Sequence, residues 1–269
     1  LQKFVMTCFA TYASRSIAAE MPQAWKQFIS YKSGNIIAFL DYLMNSYLYG
    51  ARFDEISELA YEALGAAGQL SKLPTESLVD CCVFAGIDKL LIAWMRGRLE
   101  GEDLDAKLGG KTIPEICVLR RKMHFGKQFR SEYFILENAY YILLPGNCAS
   151  AAGIASIVKQ YVAQDYRMDQ RYRYFYLYFD QLENSADFEQ LRDLVENVYT
   201  NSFLNRQIVS WNQSFTEADG KTGLPQQLDF YTRYVRNNKE RTVVIISDAL
   251  RYEVGQTLFE KIQADEKCT

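Results

Sequence analysis

Histidine is almost missing from this sequence: His124 is the single one in 269 residues. A zinc centre needs three or four ligands, commonly His and Cys, so imidazole-based metal sites have little to build on here. His124 stands without ligand partners in Arg120-Arg-Lys-Met-His-Phe-Gly126 and reads as a partly exposed structural residue. The six cysteines include no C-x-x-C pair, and the adjacent Cys81 and Cys82 lie in an apolar run, as small core residues of a reduced, cytoplasmic protein do. No apolar run is long enough to cross a bilayer without charges. The best candidate, Leu78 to Met95, is interrupted by Asp80, Asp88 and Lys89, which marks a buried helix of a bundle. Asp80 and Asp88, two turns apart on it, read as helix-to-helix hydrogen-bonding groups. Excess positive charge is also lacking: 30 basic and 33 acidic side chains give a net charge of −3, which excludes a broad nucleic-acid surface and leaves room only for a local patch. Nucleotide fingerprints are absent as well. Gly220-Lys221-Thr222 resembles the tail of a phosphate-binding loop, but Phe215 occupies the required first glycine and no strand precedes it. Internal repeats are absent. Residue 1 is Leu rather than Met, so the native start is expected upstream and a missing targeting signal carries no weight.

What is present is hydrophobic and helical. Apolar residues make up 49% and aromatics 14%, enough for a large core. Helices are expected over 3–20 and 23–49, with Pro22 in the first turn of the second, and over 54–67, capped by Asp54. Pro74-Thr75 opens the long buried helix, which runs to about Leu99, and a Gly- and Asp-containing turn follows from Gly101 to Gly110. Phe129, Tyr133, Leu136, Tyr140 and Leu143 form a helical stripe that Pro145-Gly146-Asn147 breaks. Between 165 and 183 one helix face carries Met168, Tyr172, Phe175 and Phe179, and another carries Arg167, Arg171, Tyr174 and Tyr178. The Arg/Tyr face has the chemistry to stack on single-stranded bases. With an acidic balance overall, it reads better as a packed face of a Tyr-rich bundle, with Asp169 and Arg173 paired at i,i+4.

The chain is organised around Arg241-Thr-Val-Val-Ile-Ile-Ser-Asp248-Ala-Leu-Arg251-Tyr-Glu253. Val243 to Ile246 run apolar without alternation, as in a strand covered on both faces inside a parallel sheet. Asp248 stands at its carboxyl end, where open α/β sheets place ligands. Val254, Leu258 and Ile262, with Phe259, then predict a helix. Asp248 therefore reads either as a metal ligand or as the cap of that helix. Leu250 replaces the second acid that an Asp-x-Asp phosphotransferase needs, and the glycines of a dinucleotide fold are missing after the strand. Arg251 reads as an anion contact or, more simply, as a salt-bridge partner of Glu253. One strand cannot make a sheet, so the sequence is expected to be an internal piece of a longer protein.

Val244-Ile-Ile-Ser-Asp248-Ala-Leu-Arg-Tyr-Glu253 resembles the opening motif of the PglZ family, the phosphatase-like component of BREX bacteriophage-defence systems. Tyr161 to Asp180, Val195 to Asn201, Asp229 to Val235 and, more loosely, Met21 to Asn45 are similar to that family too. The resemblance implies a domain of the alkaline phosphatase superfamily, with Asp248 as one ligand of a divalent ion (zinc, magnesium or manganese). The nucleophile and the remaining ligands are expected beyond Thr269, because Glu253, Glu260, Asp265, Glu266 and Cys268 are all that follow Asp248 and neither Thr257 nor Thr269 stands in a nucleophile motif. The expected architecture is thus mainly α: a helical region over 1–240, with a subdivision near 101–110 or 145–150 left open, feeding the first β-α unit of a phosphatase-like domain over 241–269. Such a piece would be non-catalytic by itself, would hold metal weakly, and would position the catalytic domain and dock other defence components. The alternative is a helical interaction module whose strand pairs with a partner chain or a second copy.

Overall fold

The structure is a computed structural model that describes residues 1–146, 151 and 153–265. Asn147 of the expected helix break, Cys148, Glu266, Cys268 and Thr269 lie outside the described residues. The architecture is mainly α, and the strands assigned among the described residues are Lys107–Leu108 and Lys111–Thr112. They form a hairpin in the turn region expected from Gly101 to Gly110. Gly109 and Gly110 both have positive φ (55° and 79°), the backbone that a two-residue hairpin turn requires and that glycine adopts without strain. Among the described residues no helix is long and apolar enough to cross a membrane.

The chain divides into two compact units, one of Leu1–Leu143 with Tyr174–Val195, the other of Leu144–Arg173 with Glu196–Thr269. The first has an aromatic centre. Phe9 stacks on Phe53 and Phe84 at 5.6 and 5.7 Å, and the buried Trp25 donates its indole N–H to the Leu64 carbonyl at 2.9 Å. The long helix expected from Pro74 to Leu99 is in fact two pieces, Thr75–Leu78 and Ala85–Glu100. The break is stable because its backbone carbonyls find partners at a distance in sequence. Arg120 donates to Val79 O (3.1 Å) and Cys81 O (2.7 Å), and Ser57 donates to Val83 O (2.7 Å). The Arg120 guanidinium also grips Asp88 with two hydrogen bonds (2.9 and 2.6 Å), and Tyr133 donates to the same carboxylate at 2.5 Å. Burial alone would lower the Arg120 pKa, but the neighbouring Asp88 raises it, so the fully buried guanidinium stays charged. Asp88 thus bonds between helices as expected, whereas Asp80 is exposed.

His124 behaves as the structural residue expected of it. Its Nε2 lies 2.5 Å from Asp54 Oδ1, and its ring meets Phe53 and Phe125 edge-on. Asp54 is consequently not a helix cap: the helix around it runs Gly50–Ala63 and starts a turn earlier than expected. Of the adjacent cysteines, Cys81 is buried, with its thiol pushed up to about 11 by burial, and Cys82 is half-buried.

The second unit is built from Ile154–Gln160, the first half of Tyr166–Phe179, Asn205–Glu217 and Tyr252–Gln263. Two wide π turns, Tyr161–Asp165 and Val198–Leu204, lie between its helices, and a third π segment, Tyr231–Val235, follows a short 3-10 turn. Residues 241–247, expected as a strand, carry no regular secondary structure. A strand is defined by a neighbour that takes its N–H and C=O groups, and none lies among the described residues. Val243, Val244, Ile245 and Ile246 stand 74, 44, 86 and 91% exposed.

Candidate functional site

Asp248 lies at the end of this bare apolar run, in an exposed turn. Its Oδ1 accepts the Ala249 N–H at 3.0 Å, and Ala249 is held at φ 54°, a left-handed conformation that costs an L-residue with a Cβ roughly 1–2 kcal/mol. Residues kept in such a conformation concentrate at functional turns. The helix after it begins at Tyr252 with Arg251 at its N-cap, so Asp248 does not cap it.

Tyr252 and Glu253 do the anchoring. The Tyr252 ring meets the rings of Tyr161 (6.0 Å) and Tyr166 (5.5 Å) edge-on, the arrangement aromatic quadrupoles favour. Glu253, 1% exposed, pairs with Arg173 at 3.9 Å rather than with Arg251. One turn on, Thr257 accepts a hydrogen bond from Gln170 at 2.8 Å. The helix is therefore seated by its polar residues. The apolar stripe Leu258, Phe259 and Ile262, which amphipathic logic would place inward, is 51, 52 and 43% exposed.

The floor under this helix is polar too. Asp169 accepts the Tyr161 hydroxyl (2.5 Å) and the Tyr199 hydroxyl (2.8 Å), one from each π turn, and so does not form the i,i+4 pair with Arg173 that its spacing suggests. Burial first, and then the Asp169 charge, raise the pKa of both tyrosines, so each remains a donor. Tyr172 stacks flat on Tyr199 with centroids 3.7 Å apart and donates to Glu196 at 2.6 Å. The sequence reading missed this cluster. Its available signal was the Tyr-rich segment itself, with Tyr161 and Asp169 two helical turns apart.

The four residues of the Arg/Tyr face do not share one environment. Arg167 is exposed over the Tyr166 ring at 5.7 Å, Arg171 and Tyr174 are half-buried, and Tyr178 is stacked on Phe134 at 4.2 Å. A cavity of about 380 Å³ lies beside Asn205–Glu217, lined by Arg206, Ser210, Gln213 and Glu217 among others, and none of the candidate residues borders it.

Among the described residues no three His, Cys, Asp or Glu side chains converge on a point that would hold a metal ion. The donors near the motif do not fit a divalent ion by themselves: Asp248 is alone in its exposed turn, and the buried Glu253 is committed to Arg173.

Comparison with known proteins decides the relationship. Over 96% of its length the chain is 28% identical to the "Alkaline phosphatase-like protein PglZ" of Bacillus cereus (strain H3081.97). The chain is thus similar to a PglZ-type protein over nearly its whole length. A second relative, the "Alkaline phosphatase-like protein BrxZ" of Escherichia coli O9:H4 (strain HS), is 31% identical over 43% of the chain. The matched part takes up 31% of the length of that PglZ and 15% of that BrxZ, so the chain spans about a third or less of these relatives. No protein-family profile matches it, and no solved structure does.

Proposed function

We propose that this chain is the helical part and first β-α unit of a PglZ-like protein of BREX phage defence, and that Asp248 becomes one ligand of a divalent ion in a phosphatase-like domain. The parent would be a metal-dependent hydrolase of phosphoesters. The observation that supports this best is exposure: Val243–Ile246, apolar and without a strand partner among the described residues, leads directly to Asp248, and the helix that follows turns Leu258, Phe259 and Ile262 outward. A strand and a helix so arranged suit one layer of a sheet whose other strands come from elsewhere in a protein as long as its relatives. In this reading the 269-residue chain positions and docks and does not catalyse. A phosphatase assay with Zn²⁺, Mn²⁺ and Mg²⁺ tests that, with turnover expected no higher than the metal blank. Robust turnover that Asp248→Asn abolishes would refute it.

The same bare run favours a second reading, in which the strand pairs in trans with a partner or another copy. Solution mass separates the two. Trans pairing between copies gives a dimer that grows with concentration and is lost in Ile245→Lys, whereas the first reading expects the mass of that variant and of the parent chain to agree.

A further inference from the structure

The last helix is seated with its polarity inverted. Glu253 and Thr257 face inward, Leu258, Phe259 and Ile262 face solvent, and the seat itself consists of Gln170, Arg173, Tyr161 and Tyr166. A helix held only by general apolar burial would roll the other way, because its stripe is the larger favourable area. Specific polar contacts therefore set its rotation. We propose that Glu253 and Arg173 are positioning residues: the buried Glu253 carboxylate, paired with the half-buried Arg173, clamps the first turn of this helix onto the helix Tyr166–Phe179, and so fixes the turn that carries Asp248 while leaving the apolar stripe free for a sheet. What the fixed turn is for rests on the metal-ligand reading above; the clamp itself does not.

A buried carboxylate gives the clamp a signature that ordinary packing lacks. Removing Arg173 takes the nearest positive charge away from the buried Glu253, whereas neutralising both removes the problem. Glu253 Oε1 accepts no hydrogen bond, so Arg173 is what offsets its desolvation. Arg173 also reaches Thr257 on the same helix at 3.4 Å.

The test is amide hydrogen exchange on the full chain, without metal, in the parent and in Glu253→Gln, Arg173→Gln and the double variant. Arg173→Gln is expected to speed exchange across Tyr252–Gln263 at least tenfold, with Ala85–Glu100 in the other unit unchanged, and Glu253→Gln to speed it less, because Arg173 is a third exposed. The double variant is expected to recover to within about threefold of the parent. The proposal fails if Arg173→Gln leaves that helix protected, if both units loosen together, or if the double is worse than Arg173→Gln, which is the result expected of two independently packed side chains. None of these outcomes depends on metal or turnover, so the clamp and the metal-ligand reading stand or fall separately.

Discussion

In the unit made of Leu1–Leu143 and Tyr174–Val195, an apolar core surrounds a fully buried and hydrogen-bonded charge pair, Asp88 with Arg120, although Phe39, Tyr42, Tyr47 and Leu48 stay exposed. In the unit made of Leu144–Arg173 and Glu196–Thr269, tyrosines and carboxylates line the seat of the last helix, while valines, isoleucines and leucines stand in water. The first closes a core around its longest helices. The second is chemically inside out over residues 241–263, and that contrast marks where the molecule keeps a surface in reserve.

The sharpest way to break the comparison is at Arg120. Arg120→Ala strands the Asp88 charge and the Val79 and Cys81 carbonyls together, and should cost about 3–5 kcal/mol in a denaturant titration. A loss below about 1 kcal/mol would mean the first unit is not organised around this pair. Gly126→Ala comes next. A Cβ there would sit 1.7 Å from the Arg120 carbonyl oxygen, so backbone must move, at about 3 kcal/mol by the same titration. In the second unit, Tyr199→Phe removes one hydroxyl from Asp169 and should cost roughly 1.5 kcal/mol, read as faster exchange in Asn205–Glu217 with the first unit unaffected. The smallest effect is expected where the side chains are most apolar: Ile246→Ser should shift stability by no more than about 0.5 kcal/mol, because 91% of Ile246 is already in water. A large loss there would show the run to be covered in solution.

Periodicity alone was enough to read the mainly α architecture, the stripe through Tyr133, Leu136 and Leu143, and the buried face of Met168, Phe175 and Phe179. These are cases where burial follows the 3.6-residue repeat. It failed where a distant side chain decides a local outcome. The break after Leu78 is invisible in an apolar run because the arginine that stabilises it lies 39 and 41 residues away from the carbonyls it holds. The π turns have no sequence rule of comparable strength. The last helix deceived for a different reason: its stripe was read correctly as a pattern, but pattern does not say which side faces the protein when polar partners such as Gln170 and Arg173 wait on the other. Of the candidate site, Asp248 at the tip of the apolar run was legible, and the acid and tyrosines that seat the neighbouring helix were not.

The reach of Arg120 also has a consequence for synthesis. Translation adds roughly 5–20 residues per second, so the Val79 carbonyl, 41 residues ahead of its partner, waits about 2–8 s for the guanidinium to be made. Throughout that interval the Val79 and Cys81 carbonyls lack the donor that lets them leave water cheaply. The nascent chain must therefore hold the segment from Val79 to Leu119 half-assembled, and a pause placed just before the codon for Arg120 would lengthen the window in which a ribosome-bound chaperone has something to hold.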